Sequence, residues 1–196
     1  MESRIDLPCH HCNSENGMIM LSMSTEIPYF GEHTQISLVC DSCGWRHTDF
    51  IPAEGQKPGA WSLVLDSKDK MSCRIVRSSS CTIRLVELDL EVTPGTASSG
   101  FISNIEGVVK RFEDAIGTLL RHSQAEGDVE SANSAMELIE HLTNVKLGEL
   151  TVEMVLFDPK GRSQIIHDEA VPRDLTDEEI GALQMGVDIP IHEIQD

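Results

Sequence analysis

The sequence predicts an α+β chain, mainly β, in which a small four-cysteine ribbon precedes a larger β domain interrupted by two helices. Three observations predict this. Two Cys-x-x-Cys pairs, Cys9–Cys12 and Cys40–Cys43, stand 27 residues apart near the N-terminus. Short β-branched runs fill the chain from Trp61 to Val92 and return from Leu150 to His167. Between these blocks the apolar period becomes helical, twice, over about residues 104–147.

The cysteine pairs come first in the chain. Four thiolates from two knuckles close one tetrahedral zinc site, a type with no position open for chemistry. The expected ligands are Cys9, Cys12, Cys40 and Cys43. Gly44 follows the second knuckle and allows a tight backbone turn under the metal. The stretch between the knuckles reads as a β-hairpin. Thr34–Val39 alternates as a strand should, and Thr48–Ile51 leaves the second knuckle as another. A disulfide framework would need an oxidising compartment, whereas Met1–Leu7 carries no apolar signal region. A thioredoxin-like motif would place one pair at a helix start and need no second pair. His10 and His11 lie inside the first knuckle, but four cysteines already complete the site.

Pro52–Gly59 is a turn-rich joint, and the boundary is expected there, with a ribbon over 1–52 and a second domain over 60–196. Trp61–Leu65, Cys73–Val76, Thr82–Val86 and Leu88–Val92 are expected strands. Ser103-Asn-Ile-Glu106 reads as a capping box. Ile105, Val108, Val109, Phe112, Ile116, Leu119 and Leu120 then share one helical face. Asp128 caps a second helix with Val129, Ala132, Met136, Ile139 and Leu142 on its apolar face, and Gly148 stops it. The two helices pack as an antiparallel hairpin. Leu150–Phe157 alternates as a strand, Asp158–Gly161 turns, and Ser163–His167 pairs back. Thr176 and Glu179 form a second capping box for a short helix to about Met185, and the tail from Asp188 is polar with three isoleucines.

The chain has 196 residues and a net charge of −18. Residues 1–83 carry 7 basic and 10 acidic side chains; residues 84–196 carry 8 and 23. Such a field repels phosphate backbones and contains no basic stripe. Arg74, Arg77 and Arg84 are the nearest thing to a basic spot. No apolar run approaches the ~20 residues that span a bilayer, so a soluble, cytoplasmic protein without a membrane partner is expected. Cys73 and Cys81 are expected as small buried hydrophobes on strands. There is no Gly-x-Ser-x-Gly, no phosphate-binding glycine loop and no His-Glu-x-x-His, and the eight histidines are scattered. No enzyme is expected. Glu137, Glu140, His141 and Glu149 read as a solvated helix face.

Several segments together resemble the ZPR-type zinc-finger family. They are Cys9-x-x-Cys12, Ile27-Pro-Tyr-Phe-Gly-Glu32 and Cys40-x-x-Cys43-Gly-Trp-Arg46 in the ribbon. Ser80–Gly95, Ile105-Glu-Gly107, Phe157-Asp-Pro-Lys-Gly-Arg-Ser163 and Arg173-Asp-Leu-Thr-Asp-Glu-Glu179 follow in the second domain. The chain departs from the family pattern at Val86, where proline is common, and at Arg162, where the turn usually has asparagine. It has one finger-plus-domain unit, like the archaeal form, where eukaryotic members have two. The resemblance implies a zinc ribbon followed by a double-stranded β-helix, a small β-sandwich, with an inserted helical hairpin. It also implies binding and maturation of translation elongation factor 1-alpha, with release coupled to that GTPase's nucleotide state.

Two functions follow for testing. In the first, the chain is a chaperone or binding factor for the elongation factor, and Tyr29, Phe30, Trp45 and Arg46 contact it. An exposed aromatic and arginine set of this kind is anchor chemistry in a chain with only eight aromatic residues. The expected arrangement has Phe30 packed inward and Tyr29, Trp45 and Arg46 available. The alternative is a nucleic-acid-binding zinc ribbon of transcription or translation. It lacks interleaved basic and aromatic residues, which makes nucleic acid the weaker reading.

Overall fold

In the computed structural model the described residues are 1–15, 17–28, 30–53 and 57–185. Tyr29 and the tail from Asp188 lie outside them. The first sheet has four antiparallel strands in sequence order: β1 (Glu2–Ile5), β2 (Met18–Ile27), β3 (Gly31–Cys40) and β4 (Arg46–Pro52). The long β2–β3 hairpin carries a knuckle near each of its open ends. Met18 pairs with Cys40 at the metal end, and Ile27 pairs with Gly31 at the tip.

Two further antiparallel sheets pack face to face. One has the order β12 (Val171–Asp174), β5 (Gly59–Leu65), β10 (Val152–Asp158), β7 (Thr82–Leu85), β8 (Leu90–Val92). The other has the order β11 (Gln164–Ile166), β6 (Arg74–Arg77), β9 (Phe101–Asn104). Strand β10 is nearly all apolar because both of its faces are covered. Val152, Met154 and Leu156 point into the main core with Leu63, Leu65, Ile75, Ile83 and Leu85. On the outer face, Val155 and Phe157 meet Leu175 and Ile180, where helix α3 (Asp177–Ala182) lies. Truncating Leu156 to alanine at this depth costs about 2–5 kcal/mol.

The helical hairpin, α1 (Ile105–Glu126) and α2 (Val129–Leu147), joins β9 to β10. The N-cap of α1 is Asn104, whose side chain accepts from Gly107 N at 2.8 Å. The Ser103–Glu106 box does not form, because Ser103 is still a strand residue paired with Ile75. Asp128 caps α2 by accepting from Ser131 N at 3.1 Å, and Gly127 and Gly148 end the two helices with left-handed backbone. Gly148 is doubly constrained: a Cβ there would stand 2.7 Å from Lys68 N.

The buried stripe of α2 is Ala132, Ala135, Leu142 and Val145. Val129 and Met136, expected on that face, are exposed, as is Leu119 of α1. At 3.6 residues per turn Ala132, Ala135, Leu142 and Val145 share one face of α2, and Val129 and Met136 fall to the side of it. Helix α3 ends at Ala182, short of Met185, and its Thr176–Glu179 capping box is complete. The strand expected over Thr82–Val86 stops at Leu85, because Val86–Leu88 forms a 3-10 turn closed by left-handed Asp89.

Candidate zinc centre and the seam behind it

Both knuckles use the same backbone turn. Asn13 N donates to Cys9 O at 2.8 Å, and Gly44 N donates to Cys40 O at 2.9 Å. The residue closing each turn is left-handed, with φ of 56° at Asn13 and 73° at Gly44. Glycine and asparagine are the residues that take this conformation at least cost. The equivalence of Asn13 to Gly44 is a sequence signal that reading only the glycine misses.

The turns bring Cys9, Cys12, Cys40 and Cys43 together with all four sulfurs within 4.8 Å of one another. Cys9 Sγ lies 3.8 Å from Cys43 Sγ, and Cys12 Sγ lies 3.7 Å from Cys40 Sγ. A zinc ion bound at about 2.3 Å by four sulfurs sets them about 3.8 Å apart, so the donor set and its spacing fit zinc. His11 N donates to Cys9 Sγ at 3.4 Å, which stabilises a thiolate; His10 and His11 supply no ligand atom to the cluster. Burial pushes Cys40 up, but the N–H groups of Cys43 and Ser42 and the adjoining thiols outweigh it and bring it to about 7. At Cys43 the Trp45 N–H acts to lower the value, yet burial and the three neighbouring sulfurs push it up to about 12. Four thiolates this close need a cation among them.

Trp45 is half-buried. It packs against the cluster of Cys9, Met18, Ile36, Leu38 and Cys40, and stacks on His47 at 5.8 Å with 8° between the rings. It is therefore part wall of the zinc module and part surface. Arg46 is exposed, and among the described residues its one polar side-chain contact is a 3.5 Å approach to Ser37 Oγ. Phe30 packs inward with Ile27, Phe50 and Val76, and so joins the hairpin tip to the sandwich. The structure thus leaves Trp45 and Arg46 beside the knuckles and sends Phe30 to the far end of the hairpin.

Behind β4 lies a polar seam. Asp49 is 1% exposed and accepts from Ser79 N at 2.9 Å and Ser79 Oγ at 2.7 Å. Thr48 is bound on both sides: Gly100 N donates to its carbonyl at 2.7 Å, and its N–H reaches Ser99 Oγ at 3.4 Å. Ser78 and Ser80 turn the other way and donate to Asp158, which also accepts from Ser163 Oγ and from the N–H groups of Lys160 and Arg162. Arg77 does not form a basic spot with Arg74 and Arg84. It is buried, with Nε and Nη2 on Cys81 O and Nη1 on Ser98 Oγ and Ser99 O. Arg84 pairs with Glu91. Cys81 is fully buried and burial pushes its thiol up; Cys73 is half-buried, and each stands just before a strand instead of within one.

A four-cysteine ribbon sealed onto a β-sandwich that carries a helical hairpin defines a two-module zinc-finger protein. Residues 3–58 match the ZPR1 zinc-finger domain, and residues 69–181 match the ZPR1 jelly-roll domain. The chain belongs to the ZPR1 family. It is 34% identical to a ZPR1-like protein of Methanocaldococcus jannaschii over 95% of this chain and 93% of that one. It is also 34% identical to a ZPR1-like protein of Pyrococcus horikoshii, over 91% of this chain and 80% of that one. The zinc finger chaperone zpr1 of Schizosaccharomyces pombe is 26% identical over 80% of this chain, which spans 33% of that longer protein. Among the described residues no helix is long and apolar enough to cross a membrane.

Proposed function

We propose that this chain is a zinc-dependent protein-binding factor that acts as a maturation chaperone for translation elongation factor 1-alpha. One observation carries the reading. The four sulfurs lie within 4.8 Å of one another, and a zinc ion held by four thiolates offers no position to a substrate, so its work would be to shape a surface. In this reading Cys9, Cys12, Cys40 and Cys43 hold one zinc ion, and Trp45 and Arg46 meet the partner beside it. Phe30 supports the hairpin tip that carries Tyr29. The family resemblance supplies the identity of the partner. The name of the fission-yeast relative supports the chaperone role. Free thiols at this density belong in a reducing cytoplasm.

The chain has no glycine-rich phosphate loop, so dependence on GTP or GDP belongs to the partner. The nucleic-acid reading is weakened by the lack of a Lys/Arg cluster interleaved with aromatic residues. Calorimetric titration of the zinc-loaded chain into the elongation factor 1-alpha of its own organism, in the GDP state, tests the proposal. Saturable one-to-one heat is expected. Absence of heat with GDP, with GTP and without nucleotide overturns it.

A further inference from the structure

One cavity draws its walls from two motifs that the zinc centre does not use. The Ile27–Glu32 hairpin tip and the Asp158–Ser163 turn are about 130 residues apart in sequence. They meet at the seam around a cavity of about 90 Å³ lined by Phe30, His33, Pro52, Trp61, Arg162 and Gln164, with Gly161 and Ser163 completing it. Its walls are of two kinds. Phe30, Pro52 and Trp61 are half-buried apolar faces. Arg162, His33 and Gln164 supply polar groups.

Arg162 decides the chemistry. Its side chain is 16% exposed and has one polar contact among the described residues, Nη1 to Asp49 Oδ2 at 3.4 Å. A guanidinium carries five N–H donors in a planar fork suited to a carboxylate. A largely buried one with a single long contact has most of that capacity to spare. His33 is 3% exposed and is fixed by Nδ1 on the Gly31 carbonyl at 3.2 Å, so it forms a rigid side wall. Among the described residues no Asp or Glu lines the cavity, in a chain that carries 33 of them against 15 Lys and Arg. The carboxylates nearest to Arg162 are already bonded: Asp49 by Ser79, and Asp158 by Ser78, Ser80 and Ser163.

We infer that this cavity is a binding pocket for a carboxylate carried next to a small apolar group, as on a peptide C-terminus or an acidic side chain, with Arg162 as the anion-binding residue and Trp61 and Phe30 as the apolar walls. The volume is several times the ~10–15 Å³ that one water occupies on this measure, enough for a carboxylate and its adjoining carbons. The inference stands apart from the identity of the partner, because the pocket reads a chemical group and not a protein.

The test uses the zinc-loaded full chain and three probes: N-acetyl-alanine, N-acetyl-aspartic acid α-amide and neutral propionamide. Shifts of the Trp61 Nε1–H and Arg162 Nε–H signals are followed by NMR. One or both carboxylates are expected to saturate these shifts at about 1–50 mM, the range for a fragment of this size. Which of the two binds more tightly identifies the terminal or the side-chain source. Arg162→Gln is expected to weaken binding at least tenfold. Gln164→Glu places a like charge in the pocket without touching the Asp49 pair and is expected to abolish binding while the amide spectrum of β10 stays unchanged. Equal shifts with propionamide, carboxylate shifts that survive both substitutions, or shifts that never saturate overturn the inference. Failure of the elongation factor titration leaves it untouched.

Discussion

Ser79 clamps Asp49 across the joint between the two modules, its N–H on one carboxylate oxygen at 2.9 Å and its hydroxyl on the other at 2.7 Å. Both residues are almost fully buried. A buried carboxylate is tolerated only when hydrogen-bonded, and Ser79 together with Arg162 supplies those bonds. The clamp converts two adjacent modules into one mechanical body. Removing Asp49 would orphan the Ser79 donors and the Arg162 guanidinium. Asp49→Ala is expected to lower stability by about 3 kcal/mol and Ser79→Ala by about 1–2 kcal/mol, read from urea unfolding monitored at Trp45 and Trp61. Equal stability of Asp49→Ala and the parent would show that the seam contributes nothing.

Zinc removal tests how far the two modules fold separately. The ribbon has a small core of Cys9, Met18, Ile36, Leu38 and Cys40, two of which belong to the candidate zinc site. So small a core needs its metal. Cys40→Ser, or chelation, is expected to unfold residues of the ribbon while the amide signals of β10 and α1 persist in shifted form. Loss of every signal in a single step would show that the sandwich depends on the metal through the seam.

The fold was legible where a local pattern decides structure. The two knuckles, the helical hairpin and the β10 strand announce themselves by spacing and period. Strands β1, β9 and β12 did not. Val171–Asp174 is exposed along its whole length and owes its form to pairing with β5, which no local signal reports. The seam was invisible for a related reason. Ser78, Ser79 and Ser80 read as a polar turn, and only tertiary structure shows the middle one facing the ribbon and its neighbours facing Asp158. The sequence pointed to Ile27–Glu32 and Phe157–Ser163 as family motifs, but not to their meeting. Val129 and Met136 are exposed because the buried stripe of α2 runs through Ala132, Ala135, Leu142 and Val145, where two small alanines carried little apolar signal.

Glu179 sets a pH dependence that is confined to α3. Arg173 donates to both of its carboxylate oxygens, at 2.9 and 2.6 Å, and the Thr176 N–H adds a third bond. These contacts, Arg173 foremost, lower its pKa from 4.5 to about 2. A carboxylate depressed in the folded state contributes stability above its unfolded value and loses it as pH falls through the folded one. The α3 amide signals are therefore expected to lose protection against exchange progressively from about pH 4.5 down to about 2. Glu179→Gln should remove that dependence. An unchanged acid profile in Glu179→Gln would assign the transition elsewhere.

His47 predicts the opposite end of the accessible pH range. It is buried, neither ring nitrogen has a hydrogen-bond partner of good geometry among the described residues, and it stacks on Trp45. Burial pushes its pKa down; Asp49 pulls it up, and Lys160 and His10 push it down further. A histidine depressed in the folded state is neutral there and takes up a proton on unfolding. Its contribution is complete above the unfolded value of 6.5 and is lost as pH falls below it. Stability is expected to fall between pH 7.5 and 5.5, and His47→Phe, which keeps a ring against Trp45, should flatten that slope. Proton competition for the cysteine thiolates acts over the same interval in both proteins, so the difference between their slopes isolates His47. Identical slopes would remove His47 from the account.

Arg46 offers the cleanest mutational test of the proposed partner surface. Trp45 is the stronger anchor by size, but it also walls the zinc module, so its removal confounds binding with folding. Arg46 is exposed and among the described residues holds only a long contact to Ser37, so its loss costs the free chain little. If it reaches an acidic group of the elongation factor, Arg46→Ala should weaken binding about tenfold, or about 1.4 kcal/mol, with zinc content unchanged. The strongly acidic second module constrains the salt response. Nucleic-acid binding through several phosphates would fall by orders of magnitude between 50 and 200 mM salt, roughly 10³-fold or more for six contacts. One arginine at a protein interface should change affinity only a few-fold over that interval. Calorimetry of the parent and Arg46→Ala at both salt concentrations reads the two quantities together. Unaltered affinity in Arg46→Ala would move the contact surface away from the knuckles, and a steep salt slope in the parent would favour a polyanionic partner over the elongation factor.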